Sequence, residues 1–175
     1  MLLAAGESPE QVAEVTKRQG AVLDAVVSDA PDEEIRALIR GLIEAQMVMA
    51  DATADMTVDD DTVDTAMAQL SSAWMRAFLD LDPAEHLAKV RCPVLALNGA
   101  LDLQVPVDQN LPAIKQAVQS GGGDVTIHRL EGLNHLFQPA TKGTLDEYPR
   151  IETTFDPAAM AIITNWIRTQ VGLTQ

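Results

Sequence analysis

Two side chains in this sequence have the types and the spacing to work on one proton: Asp102, within NGALDLQVP, and His135, within EGLNHLFQ. A carboxylate beside an imidazole fixes the ring's tautomer and stabilises the imidazolium formed when the ring takes a proton from a nucleophile. Asp102 follows Asn98 by four residues at the end of one candidate strand run, and His135 follows Leu130 by five at the end of another. If both runs are strands of one parallel sheet, both residues arrive at its carboxyl edge, where open α/β sheets bind ligands. That is two thirds of a nucleophilic triad. The competing reading is an exposed aspartate and a loop histidine with no shared task.

The other chemistry-bearing residues offer less. His86 lies on a short amphipathic segment and His128 inside a strand, so structural or solvated roles suit both. The single cysteine, Cys92, excludes an intramolecular disulfide. It precedes an apolar run, whereas an elbow nucleophile follows one, so it reads as a small buried hydrophobe. The serines are Ser8, Ser28, Ser71, Ser72 and Ser120, and none lies in Gly-x-Ser-x-Gly or between a strand and a helix. With no histidine pair at ligand spacing, neither a metal site nor a cofactor is indicated.

The elements that must position the pair lie in the second half. CPVLALNG is a continuous apolar run bounded by Pro93 and Gly99, as a buried parallel strand reads. A helix follows from about Asp108 to Ser120, with Leu111, Ile114 and Val118 on one face, and GGG at 121–123 turns the chain into DVTIHRL, a second strand. These glycines follow a helix rather than open one, so they make a turn and not a phosphate cradle. Strand, helix, strand fits a right-handed crossover unit. A last helix starts at Asp156-Pro157 and is expected to bury Met160, Ile163, Trp166 and Ile167.

The first half reads as helices alone. Ser8-Pro9-Glu10-Gln11 is a capping box, followed by Val12, Val15, Val22 and Val26 at helical spacing. A second helix begins near Pro31, with Ile35, Leu38, Ile39, Leu42, Ile43 and Met47 as its stripe. A third is expected to run unbroken from about Asp60 through Val63, Met67, Leu70, Trp74, Phe78 and Leu81, its apolar stripe serving as core, and to end before Pro83. VDDDTVD lacks the glycine and spaced glutamate of a calcium loop and reads as a helix start, where carboxylates are favoured.

Charge separates the halves as well. Of the formal −14, Met1 to Glu85 hold 18 acidic and 5 basic residues, and His86 to Gln175 hold 8 and 7. So acidic a surface repels phosphate backbones, which argues against nucleic acid or an anionic membrane as partner. No run approaches the roughly 20 apolar residues of a membrane helix, and MLLAAGESPE lacks the positive flank of a secretory signal. As written the chain is expected to be soluble and cytoplasmic, with export open if a signal lies upstream.

At this point CPVLALNGALDLQVP, VTIHRLEGLNHLFQ and DEYPRIETTFDPAAMAIITNWI together resemble the C-terminal part of bacterial α/β-hydrolase esterases of the dienelactone-hydrolase and serine-aminopeptidase kind. SSAWMRAFLDLDPAEHLAKV resembles the segment by which that family returns from its cap to the core. The likeness covers roughly residues 71–168, and the acidic helices before it match only in character. It implies an α/β fold: a helical cap-like region over 1–90, then, over 91–175, the C-terminal β-α-β-α portion of the hydrolase core without its N-terminal strands. It also implies a Ser-Asp-His triad in that chain order, with Asp102 as orienting acid, His135 as general base, and Leu136 and Phe137 near the substrate pocket. The serine and the oxyanion donors would come from an earlier region that this sequence lacks. The expectation is therefore a C-terminal fragment of an enzyme for small-molecule esters, inactive alone and prone to self-association through its open strand edge.

Overall fold

The computed structural model describes residues 8–50 and 57–173, so the opening stretch MLLAAGE lies outside the described residues. The protein is mixed α/β and mostly helical, and it divides into two compact units, Leu2–Leu81 and Asp82–Gln175.

Among the described residues the first unit holds four helices: α1 (Pro9–Val27), α2 (Asp32–Met49), α3 (Asp60–Leu70) and α4 (Ala73–Asp80). The capping box forms at the start of α1, with the Ser8 hydroxyl accepting from the Gln11 amide and the Gln11 side chain accepting from that of Ser8. The stripes of α1, α2 and α3 meet in a core of Val22, Val26, Ile35, Ile39, Val63 and Met67. The VDDDTVD run supplies the start of α3, where the Asp59 carboxylate accepts from the Thr62 amide at 2.7 Å. Hydrogen bonding from the Thr62 side chain, and then from its amide, holds Asp59 below the usual carboxylate range.

The third helix is not continuous, as its apolar spacing suggests, but breaks at Ser71 and Ser72. Ser72 caps α4 by accepting from the Met75 amide at 3.2 Å while its hydroxyl donates to the Gln69 carbonyl. A short hydroxyl offers the backbone this alternative to the helical ladder. The bend also redirects the stripe: Trp74, Phe78 and Leu81 are exposed rather than core, and Trp74 stacks on Phe78 with centroids 5.4 Å apart. Arg76 ties α4 back to α1 through the Val26 carbonyl and Asp29.

The second unit carries the pair. After α5 (Pro83–Leu87) come β1 (Val94–Gly99), α6 (Val107–Ser120), β2 (Val125–Leu130), a single 3-10 turn (Tyr148–Arg150) and α7 (Pro157–Gln170). The two strands pair in parallel, Val94 opposite Val125 through Gly99 opposite Leu130. Successive side chains of a strand point to opposite faces, so each face carries its own core. On one, Ala96 and Ile127 pack against Val107, Leu111 and Ile114 of α6. On the other, Leu97 and Leu130 pack with Leu133, Phe137, Phe155, Ala159 and Ile162. Asp156 caps α7, accepting from the amides of Ala158 and Ala159.

Two burial expectations fail here. Met160 and Ile167 of α7 are exposed, because the helix turns Ala159 and Ile162 to the sheet and a two-stranded sheet is too narrow to cover the rest of its apolar arc. Cys92 is exposed too; it sits two residues before β1 begins, ahead of the packed part of the strand. Among the described residues no helix is long and apolar enough to cross a membrane.

Candidate functional site

Asp102 and His135 meet at the carboxyl edge of the sheet. The imidazole Nδ1 lies 3.0 Å from Asp102 Oδ2, with the aspartate side chain 5 % exposed and the histidine side chain 35 %. Because Nδ1 faces a carboxylate, the neutral ring carries its proton there, and Nε2 is the nitrogen left to accept another.

The local sequence explains why each arrives. Gly99 ends β1, and a Cβ placed on it would stand 2.3 Å from the Leu133 carbonyl oxygen and 2.5 Å from that of Asn134. Only glycine admits so close an approach, which brings the histidine loop down onto the aspartate turn. The Leu101 amide then donates to the Leu133 carbonyl at 2.9 Å. In the turn itself the Gln104 and Val105 amides donate to Asp102 Oδ1 at 2.9 and 2.8 Å, and the Asn98 side-chain amide donates to Oδ2 at 3.0 Å. A buried carboxylate keeps its charge only when its lone pairs are occupied in this way.

The loop bearing His135 is held by its neighbour Asn134, which is fully buried. Its Oδ1 accepts from the amides of Leu136 and Gln138, and its own amide donates to the Gln138 carbonyl. This tight winding puts Phe137 at φ 56°, a left-handed conformation unusual for an aromatic residue. A further loop braces the rim: Glu147 accepts from the amides of Lys142 and Gly143, which holds its carboxyl below the usual range. Gly143, at φ 77°, sits where a Cβ would meet the Leu101 carbonyl at 1.9 Å.

Leu136 is half exposed beside His135, placed where a bound molecule could touch it. Phe137 instead turns its ring onto Phe155, centroids 5.3 Å apart, and packs in the core below the loop. His86 is exposed and His128 is half-buried within β2, neither of them joined to the pair. Every serine sits at a helix end: Ser8 and Ser72 are N-caps, Ser28 and Ser71 are C-caps, and Ser120 closes α6, donating to the Ala117 carbonyl. Ser120 is at the end of α6 that leads into β2, the opposite edge of the sheet from Asp102. No group of three or more histidine, cysteine or carboxylate side chains among the described residues is arranged to hold a metal ion.

Asn98 and Asn134 were not legible as site residues. A lone asparagine at the end of an apolar run reads as the polar residue that stops a strand, and one inside a loop reads as a turn former. The only signal available was position, four residues before the aspartate and one before the histidine. No family model, no curated protein and no solved structure matches the chain.

Proposed function

We propose that the chain is part of a serine hydrolase acting on carboxylic esters, with Asp102 orienting His135 and His135 serving as general base for a serine outside these 175 residues. The observation that carries this reading is the 3.0 Å contact between a buried carboxylate and Nδ1 of a partly exposed imidazole at the carboxyl edge of a parallel sheet, the edge at which open α/β sheets generally bind ligands. The serine hydroxyl would attack the ester carbonyl as Nε2 takes its proton, and the imidazolium would return that proton to the departing alcohol. Water would then repeat the sequence and release the acid. The Asp102 carboxylate offsets the charge on the ring. Leu136, exposed next to the base, would border the substrate, whereas the ring of Phe137 anchors the loop.

The placement of all five serines at helix ends favours one alternative, a non-catalytic α/β-hydrolase-like module that binds or assembles. An in-frame Gly-x-Ser-x-Gly in the coding sequence upstream supports the hydrolase, and a stop codon there supports the module. On either reading the chain alone is expected neither to turn over p-nitrophenyl acetate with saturation nor to take up a fluorophosphonate label stoichiometrically. Saturable turnover or full labelling would place the nucleophile inside the chain.

Self-association belongs to the same proposal. In β1 the amides of Val94 and Ala100 donate toward β2, so those of Leu95 and Leu97 point the other way and have no partner among the described residues. An apolar strand edge with free donors and acceptors is a template for another strand. Light scattering at micromolar concentration should show dimers or larger species, and a monodisperse monomer would count against an edge open to pairing.

A further inference from the structure

We infer that Asn98 is a positioning residue for the Asp102–His135 pair, a role that rests on the hydrolase reading given above. Asn98 is 6 % exposed, on β1 four residues before the aspartate. The two amides of the Asp102 turn, from Gln104 and Val105, both donate to Oδ1. Oδ2 is therefore held by side chains alone: Asn98 Nδ2 at 3.0 Å and His135 Nδ1 at 3.0 Å. Asn98 Nδ2 also donates to the Val105 carbonyl at 3.2 Å, and the Val105 amide donates to Oδ1, so strand, carboxylate and turn form a closed ring of hydrogen bonds.

The consequence is geometric. A carboxylate pinned only at Oδ1 can pivot about that oxygen, and a buried Oδ2 with one donor instead of two gains by turning toward water. Asn98 removes that option. With Oδ2 held 3.0 Å from Nδ1, Nδ1–H has one acceptor, which favours one tautomer and leaves Nε2 to accept a proton. Asn98 reaches neither a substrate nor the reacting proton and acts through Asp102.

The test reads the tautomer of His135 in the whole chain by nitrogen-detected NMR of the imidazole above its pKa. In the unaltered protein nearly all of the neutral ring should carry its proton on Nδ1. Asn98→Leu, close in size but without the donor, should move the ring to the Nε2–H form that free imidazole side chains prefer, while the resonances of exposed His86 stay in place. A folded Asn98→Leu protein that keeps Nδ1–H would overturn the positioning role and leave the hydrolase reading standing. A ring protonated on Nε2 before any substitution would overturn the base assignment itself, and the role of Asn98 with it. If the variant does not fold, the unaltered chain still decides: both side-chain amide protons of Asn98 should exchange slowly with solvent, and exchange as fast as that of exposed Asn165 would overturn the inference.

Discussion

Replacing His135 with alanine in a protein that carries the serine should lower kcat/KM for an ester by about four orders of magnitude, with thermal stability nearly unchanged. The two halves of this expectation have separate causes. A general base acts only as the proton leaves the serine, so its loss falls on kcat and leaves KM close to its original value. Stability is spared because the imidazole is a third exposed and Asp102 keeps three other donors, so the loss should be about 1 kcal/mol. A purely structural histidine would give the opposite pattern, a lower Tm with catalysis reduced only in proportion to the unfolded fraction. Initial rates and melting curves on one preparation separate the two.

Gly99→Ala should cost about 3 kcal/mol and separate the aspartate from the imidazole. The added methyl meets two backbone carbonyl oxygens, of Leu133 and Asn134, and neither can swing aside as the tip of a side chain does. Relief requires the histidine loop to lift off the end of β1, which stretches the bond from the Leu101 amide to the Leu133 carbonyl. Gly122→Ala is the control. It has φ 78° but open space around the added carbon, so it should cost only about 1 kcal/mol in backbone strain. Urea unfolding followed through Trp166, whose indole N–H donates to Thr126, reports on this unit once Trp74 is replaced by phenylalanine. Equal losses for the two glycines would mean that the close approach at Gly99 is not what the fold depends on.

How far the sequence revealed this arrangement varied with the physical signal at each place. The start of α1 and that of α7 were readable because Ser8-Pro9 and Asp156-Pro157 combine a cap with a residue preorganised for the first helical turn. The β1-α6-β2 unit was readable because CPVLALNG is an uninterrupted apolar run bounded by Pro93 and Gly99, and the glycines at 121–123 part the helix from DVTIHRL. The break between α3 and α4 was hidden: Leu70, Trp74, Phe78 and Leu81 keep a helical rhythm across it, and whether Ser72 caps or merely faces solvent is decided by the packing of α4. The exposure of Met160 and Ile167 was hidden for another reason. Periodicity reports how wide an apolar arc is, not how much surface stands opposite to cover it. That Asp102 and His135 come together was readable because each follows the carboxyl end of one of two parallel strands, although a turn aspartate and a loop histidine have other uses. Asn98 and Asn134 escaped because asparagine has many.

The parallel pairing of β1 with β2 has a consequence for how the protein comes into being. No hairpin can seed it: the chain must complete a whole crossover before Val94 finds Val125, and pairings so distant along the chain are slow to form. Asp102 and His135, 33 positions apart, inherit that delay. On the ribosome β1 emerges with its aspartate well before an imidazole exists to meet it, so during synthesis the carboxylate waits in water as an ordinary surface charge. Completion of β2 and of the loop that bears His135 turns it into a desolvated one, before Ala159 and Ile162 of α7 arrive to cover the other face of the sheet.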